Sequence, residues 1–325
     1  MQQEIRFATF NVCNLAPAGA KLYDNLEPFT SEQYQAKLDW TARQLDELDA
    51  DVIGLQEIFS MASLREVLAR TRRYREATLC GFDPTPDPVS GAPRWTPQVA
   101  LVSRLPLAAP AGAYATFPAG VALPEGSRDA DRFARAPLHA PLLLADGRIL
   151  DVLVVHLKSK RPDFRNGDCG GDQMEFAQAQ LRSLLRRGTE AVGLRALLTA
   201  LARERGHPCI VMGDFNDTLD AVTTAIVLGE APGDELGGRL FDSQQLQLRQ
   251  DQLRHTGYTI VHEGRGMIID HVLLSEEFHP ASPRAIGAVL DVTYLNDHLL
   301  RQKPDASDHG QVLVRLRLFD ATAAI

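Results

Sequence analysis

Six short groups of acids, amides and imidazoles punctuate this chain, each at the end of an apolar run. They are FNVCN at 10–14, LQE at 55–57, VVHLKSK at 154–160, VMGDFND at 211–217, IIDH at 268–271 and SDHG at 307–310. Asp, Glu, Asn and His together form the ligand and acid–base set of metal-assisted phosphate chemistry, because hard divalent cations take oxygen ligands and imidazoles carry protons near neutral pH. Four of the preceding runs, DVIGLQE, DVLVVH, PCIVMGD and MIID, have the length of a buried strand. A chain that repeatedly ends such strands in polar groups is building one site on the rim of a β core.

Strand and helix signals alternate from end to end. IRFATFNV reads as a strand, and SEQYQAKLDWTARQLDEL as an amphipathic helix with Ser31 as N-cap. After the DVIGLQEI strand, SLREVLARTRR reads as a second helix capped by Ser63. PQVALVSRLPL is a strand, and HAPLLLADGRILDVLVVHLKS is a hairpin turning at Asp146-Gly147. A long helical region covers roughly 174 to 205, and MIIDHVLLS and GQVLVRLRLF are the last strands. Long polar or Pro/Gly-rich stretches at 81–97, 117–135, 159–173 and 229–266 are the loops expected to choose the substrate. No repeat or linker interrupts the chain, so one domain over 1–325 is expected.

At 325 residues, 45% hydrophobic and 6% aromatic, the composition is that of a soluble globular protein with a sizeable core. No apolar run approaches the ~20 residues that span a bilayer. The start MQQEIRFATFNV lacks the pattern of a secretory leader, which points to the cytoplasm. Cys13, Cys80, Cys169 and Cys209 are widely spaced without a CxxC pair, so free thiols are expected. The net charge of −8 is unlike that of a tight binder of duplex DNA. Arginines cluster at 65, 70, 72, 73 and 75 and at 182, 186, 187, 195, 203 and 205, as solvated helix faces or as a phosphate-facing patch.

Asn11 in FNV, Glu57 in LQE, His156 in HLKS, Asp214 and Asn216 in GDFN, Asp270 in ID and Asp308-His309 in SDH occur in the order found in the endonuclease/exonuclease/phosphatase superfamily. Each motif alone is weak, but jointly they are specific and span residues 11 to 309. The chain therefore resembles that superfamily, which includes DNase I and exonuclease III, and NVCNL with HLKSK is similar to a bacterial branch often found in secreted nucleases. Cys13 stands where that branch tends to have an acid. The resemblance implies a four-layer α-β-β-α sandwich: two mixed, mostly antiparallel sheets packed face to face, with helices on both outsides and the site at one end.

Each residue has a role and a rival. Glu57 is expected to hold Mg²⁺ or Mn²⁺, since an unpaired carboxylate at a buried strand end is costly; the rival is a salt bridge to an Arg. Asn11 and the further carboxylate Asp308 join it on the metal side. Asp214 orients or deprotonates the attacking water, and Asn216 donates to a phosphate oxygen; the rival for GDFND is a helix-capping turn, a role expected of Asp217. By resemblance Asp270 accepts from His309 and favours its protonated form. His156 contacts a phosphate oxygen or protonates the leaving group. Arg135 and Lys158 are the substrate-binding candidates, and His271 is expected to be structural. The reading is a metal-dependent phosphodiesterase acting on nucleic acid, monomeric and with no protein partner implied. The alternative is an esterase for a phospholipid, inositol phosphate or other small ester; the third is a silent binding scaffold.

Overall fold

The computed structural model describes residues 3–87, 89–121, 131–164, 170–229, 236–247, 257–301 and 303–320. In chain order the elements are β1 (Gln3–Leu15), α1 (Ser31–Leu48), β2 (Val52–Ile58), α2 (Met61–Arg70), β3 (Thr78–Gly81), β4 (Gln98–Ser103), β5 (Gly112–Ala113), β6 (Leu138–Leu143) and β7 (Ile149–His156). There follow α3 (Gln173–Arg205), β8 (Cys209–Asp214), α4 (Val222–Leu228), β9 (Leu240–Asp242), β10 (Ile260–His262), β11 (Arg265–Met267), β12 (Asp270–Ser275), β13 (Gly287–Leu295) and β14 (Gln311–Leu318). Two six-stranded sheets result, ordered β13-β14-β1-β2-β4-β3 and β5-β6-β7-β8-β12-β9. Among the described residues only β1–β2 and β7–β8 pair in parallel; the other strand pairs are antiparallel.

Three apolar layers explain why the central strands are near-continuous hydrophobic runs. Between the sheets, Ile5, Phe7, Val52 and Leu101 meet Val152, Val154, Ile210, Met212 and Val272. On the outer face of the first sheet Ala8, Phe10, Ile53 and Leu55 pack under Leu38, Leu45, Leu64 and Val67 of α1 and α2. On the outer face of the second, Leu153, Val155, Val211 and Leu273 pack under Leu194, Leu197, Leu201 and Val227 of α3 and α4. Strands covered on both faces lose the apolar–polar alternation of a half-exposed sheet. The molecule is thus the four-layer α-β-β-α sandwich that the motifs imply.

The long segments were legible, and the punctuation was less so. Helix α1 has the expected bounds, but its N-cap is Thr30: the Thr30 hydroxyl accepts from Gln33 N, and the Gln33 side chain accepts from Thr30 N. Helix α2 is capped by Ser60, with Ser63 inside the first turn. In both cases the residue bearing the extended backbone lies before the expected one, and the extended residue is the one whose side chain can turn back on the free amides. The hairpin at Asp146-Gly147 is present, with Gly147 at φ 86°. Strand β13 and the short β9–β11 were not anticipated. The MIID run does not end a strand: Asp270 begins β12, which runs antiparallel to β8. Of the expected loops, 88, 122–130, 165–169, 230–235 and 248–256 lie outside the described residues.

The arginine clusters are mostly spent inside the molecule. Arg70, Arg72 and Arg73 pair with Asp39, Asp46 and Asp49 of α1 and its C-cap, and Arg182, Arg186 and Arg187 pair with Glu175, Glu190 and Asp217. Cys13, Cys80 and Cys209 are free thiols, and Cys169 lies outside the described residues. Among the described residues no helix is long and apolar enough to cross a membrane.

At the edge of the second sheet opposite the polar motifs, buried Asp151 accepts from His139 Nε2 at 2.7 Å and His207 Nδ1 at 3.1 Å. Burial opposes ionisation there, yet these two imidazoles and Arg205 hold the Asp151 carboxyl below its ordinary range. A carboxyl depressed in the folded state stabilises above its unfolded pKa of about 3.9, and the gain is lost as pH falls through the folded value. Asp151→Asn is expected to lower stability at pH 7 by roughly 1–3 kcal/mol, with the deficit shrinking below about pH 4. Denaturant melts at both pH values check this, and an equal deficit at both would contradict it.

Candidate active site

Strand register sets the site. His156 at the end of β7 lies opposite Asp214 at the end of β8, and Asp214 lies opposite Asp270 at the start of β12. The three form one row across the second sheet. From the first sheet, Asn11 of β1 lies opposite Gln56, next to Glu57, at the same rim. The two sheets are joined there by a side chain: Asn11 Nδ2 donates to Asp214 Oδ2 at 3.0 Å and to Glu57 Oε1 at 3.3 Å. Asn11 Oδ1 meanwhile accepts from Cys13 N. The amide therefore bridges two carboxylates as a donor, which differs from its expected place as a metal ligand.

His309 arrives from the loop before β14. Ser307 fixes that loop by donating to Asn11 O at 2.6 Å and accepting from His309 N at 3.0 Å. His309 Nδ1 then contacts Asp270 Oδ2 at 2.9 Å, and its Nε2 lies 3.9 Å from Asp214 Oδ2. Thr259 Oγ1 accepts from the backbone amides of Ile269 and Asp270, and His298 contacts the His309 carbonyl at 2.8 Å. Neither Ser307, Thr259 nor His298 was singled out from the sequence. Ser307 stood inside SDHG, where only the two charged residues looked chemical.

The electrostatics follow from burial. Asp214, Asp270 and His309 are 1%, 0% and 6% exposed. Burial, and then the Asp270 charge beside it, push Asp214 up to about 7. Burial works against a proton charge on His309, but Asp270 and Asp214 outweigh it and hold the imidazole protonated well above the usual histidine range. His156 goes the other way: burial, then Arg135 and His309, keep it neutral. Its Nε2 lies 3.4 Å from Asp214 Oδ2. A ring held neutral is a hydrogen bonder and a poor acid, which favours contact with a phosphate oxygen over protonation of a leaving group, the two roles expected of His156.

Backbone strain gathers at the same rim. Of the six non-glycine residues at positive φ among the described residues, Cys13 (55°), Asn14 (57°), Glu57 (62°) and Asn216 (54°) belong to the site motifs. Each costs of order 1–3 kcal/mol and persists only where its surroundings enforce it. Glu57 is enforced by Asn14 N at 2.9 Å and by the Asn11 amide, and Asn216 by its amide N on Asp214 Oδ1 at 2.7 Å. Gly213 is required by close approach, since a Cβ there would lie 1.9 Å from the Val155 carbonyl oxygen.

Two donor sets could serve a metal ion. Asp214, Asp270 and His309 each offer an atom, all within 4.8 Å of one another. However, His309 shares Asp270 Oδ2 through Nδ1, and a protonated imidazole has no lone pair for a cation. On the other side Glu57 has no ion pair among the described residues, so the salt-bridge rival is not what compensates it. The charges of exposed Asp308, of buried Lys37 and of Glu57 act on the Cys13 thiol together. Glu57 and Asp308 are oxygen donors of the kind a hard divalent ion takes, with the charge of the buried Lys37 ammonium acting beside them.

Three loops meet at the Leu157 carbonyl, which accepts from Asn216 Nδ2 at 3.0 Å and Arg135 Nη1 at 3.3 Å. Arg135 Nε is buried without a partner. Lys158, in contrast, turns away: Nζ is held by Ser159 O, Arg161 O and Ser183 Oγ, so it staples its own loop and is corrected as a substrate-binding residue. Behind these loops buried Glu190 of α3 accepts from Ala134 N at 3.0 Å and Lys158 N at 2.9 Å. Arg187 pairs with Asp217 and reaches the Lys158 and Ser159 carbonyls. Asp217 also accepts from Thr223, so it is a loop anchor; the N-cap of α4 is Ala221. His271 is structural as expected, held between Asp242 Oδ2 and Asp217 O.

The sequence model of the Endonuclease/Exonuclease/phosphatase family matches residues 8–309. The chain belongs to this family, and thus to hydrolases of phosphoester bonds. No curated protein gives a significant sequence match. Among solved structures it is similar to the human Nocturnin catalytic domain with bound sulfate (15% identity, 98% of each chain covered, TM-score 0.60). It is also similar to a mannosyl-6-phosphatase of Bacteroides thetaiotaomicron (17%, 96% of this chain and 99% of that one, 0.56). Truncated TDP2 of Caenorhabditis elegans is a third (13%, 96% and 97%, 0.56). At such identities the likeness shows the fold.

The carboxyl of Asp214 in metal-free protein is expected to titrate at about 7. Carbon-detected NMR of labelled aspartate checks this. Titration at the ordinary aspartate value of about 3.9 would contradict the buried charge balance described above.

Proposed function

We propose that this protein is a Mg²⁺- or Mn²⁺-dependent phosphodiesterase that cleaves nucleic-acid phosphodiesters by in-line attack of water. The reading takes residues 1–325 as one working unit, acting as a monomer. The observation that carries it is the buried Asp214 carboxyl, whose Oδ2 lies 3.9 Å from His309 Nε2 and 3.0 Å from the Asn11 amide and whose burial pushes it up to about 7. A general base works best when its pKa lies near the operating pH.

Asp214 orients the attacking water and accepts its proton. His309, kept cationic by Asp270, faces the same point and stabilises charge as it builds on the phosphoryl oxygens. Asn216, His156 and Arg135 supply further donors, with the Leu157 carbonyl fixing two of them relative to each other. Glu57 and Asp308 would hold the ion, oriented by the Asn11 amide. When bound, the ion neutralises the phosphate and stabilises the departing oxygen. No covalent intermediate is required.

A second reading, hydrolysis of a small phosphoester, is favoured by the net charge of −8 and agrees with a sugar-phosphate phosphatase among the structural neighbours. The two are separated by metal-dependent cleavage of single- and double-stranded DNA, RNA and bis-p-nitrophenyl phosphate, wild type beside Asp214→Asn. We expect polynucleotide cleavage that chelator abolishes and that falls at least ~100-fold in the variant. Turnover of the small ester alone would favour the second reading. A variant with near-normal turnover would defeat the role of Asp214.

A further inference from the structure

We propose that Glu190, a buried acid on α3, is a positioning residue that sets the phosphate-contacting Arg135 relative to His156. The inference deepens the phosphodiesterase reading above and rests on it for the role of Arg135.

Helix α3 carries Ser183, Arg187 and Glu190 at the spacing that puts side chains on one face. All three are polar, yet they are 1%, 4% and 1% exposed. Polar groups withdrawn from water need partners, and here the partners are the loops of the site. Ser183 Oγ donates to the Ser159 carbonyl at 2.7 Å, and Arg187 Nη1 reaches the Lys158 and Ser159 carbonyls at 3.4 and 3.3 Å. Both grip the loop that follows β7. Glu190 grips two loops at once: Oε1 accepts from Ala134 N at 3.0 Å, and Oε2 from Lys158 N at 2.9 Å.

The position of those two amides gives the contact its meaning. Ala134 immediately precedes Arg135, and Lys158 follows His156-Leu157. Arg135 closes the same frame from its other end, since Nη1 donates to the Leu157 carbonyl at 3.3 Å. One carboxylate therefore spaces the backbone under Arg135 from the strand end that carries His156. These two side chains hold buried nitrogens without a hydrogen-bond partner among the described residues, Arg135 Nε and His156 Nδ1. A phosphate oxygen placed at Arg135 Nε would supply the bond it lacks.

An ionised carboxylate suits this place as an amide does not. Glu190 accepts on both oxygens, and Arg186 Nε at 3.1 Å from Oε1 balances its charge. A glutamine of the same size would turn its NH₂ toward one of the backbone N–H groups and release that loop.

The test reads inorganic phosphate binding to metal-free protein by NMR, so that no ester is cut. In wild type the Arg135 Nε–H resonance is expected to shift as phosphate is added. Arg135→Ala should weaken phosphate binding about tenfold, the scale of one charge-assisted hydrogen bond. Glu190→Gln should weaken it to a similar extent and abolish the shift at Arg135 Nε–H. The double variant should bind no more weakly than Arg135→Ala alone, because the two residues act through one contact. Ala134→Pro removes the N–H at the other end of the bond; it should copy Glu190→Gln, and it decides the matter if that variant does not fold. Unchanged affinity and an unchanged Arg135 signal in Glu190→Gln, or additive losses in the double variant, would overturn the proposal. If Arg135→Ala itself leaves phosphate binding intact, the role given to Arg135 above fails and takes the proposal with it. A loss in Arg135→Ala beside none in Glu190→Gln fails the proposal alone.

Discussion

Two carboxylates in register on neighbouring strands, Asp214 and Asp270, are both withdrawn from water at the rim of the second sheet. They cannot both stay charged unless a cation or a proton comes with them. The remainder of the site answers that constraint. His309 supplies the positive charge, Ser307 holds its loop on β1, and Thr259 fixes the backbone of Asp270. Asn11 contributes a neutral donor where a further charge would unbalance the group. The result is an Asp214 carboxyl pushed up to about 7 beside an imidazole held protonated, which suits acid–base work at a phosphate.

The division between the sheets follows. The second sheet carries His156, Asp214 and Asp270 in one row, reached by His309 from the loop before β14, and the first carries Glu57 near Cys13 and Asp308. A hard cation seeks bare oxygens, whereas a protonated imidazole repels it. Separating the two functions onto facing sheets, with one amide as the bridge, lets each keep its own electrostatics. The cost appears as strained backbone at Cys13, Asn14, Glu57 and Asn216. It is offset by buried supports, above all Glu190 and Arg187, which tie the loops after β7 and before β6 to α3.

Much of this was legible in the residues alone, because chemistry placed at strand ends is a local pattern. The apolar runs before Glu57, His156 and Asp214 ended where the strands end, and helix 31–48 showed its full period. What sequence could not reveal depends on partners far along the chain. Arg187 stood in a cluster open to two readings, a solvated helix face or a phosphate-facing patch, yet it and Glu190 are buried against loops that the fold brings under α3. Lys158 looked like a phosphate ligand, and only the turn at 158–161 decides that its ammonium folds back onto the Ser159 and Arg161 carbonyls. Asp270 opens its strand because β12 runs antiparallel to β8, a pairing that periodicity does not encode. The caps Thr30 and Ser60 were missed by one and three residues, since either hydroxyl in each region satisfies the same local rule.

The central claim is that the cation belongs to the Glu57 side and the proton to the Asp270–His309 side. Calorimetric Mg²⁺ binding to wild type, Glu57→Gln and Asp270→Asn tests it without reference to any substrate. The account predicts that Glu57→Gln weakens binding at least about tenfold, while Asp270→Asn leaves it close to wild type. Loss of binding in Asp270→Asn with Glu57→Gln unaffected would put the ion among Asp214, Asp270 and His309, and would contradict the account.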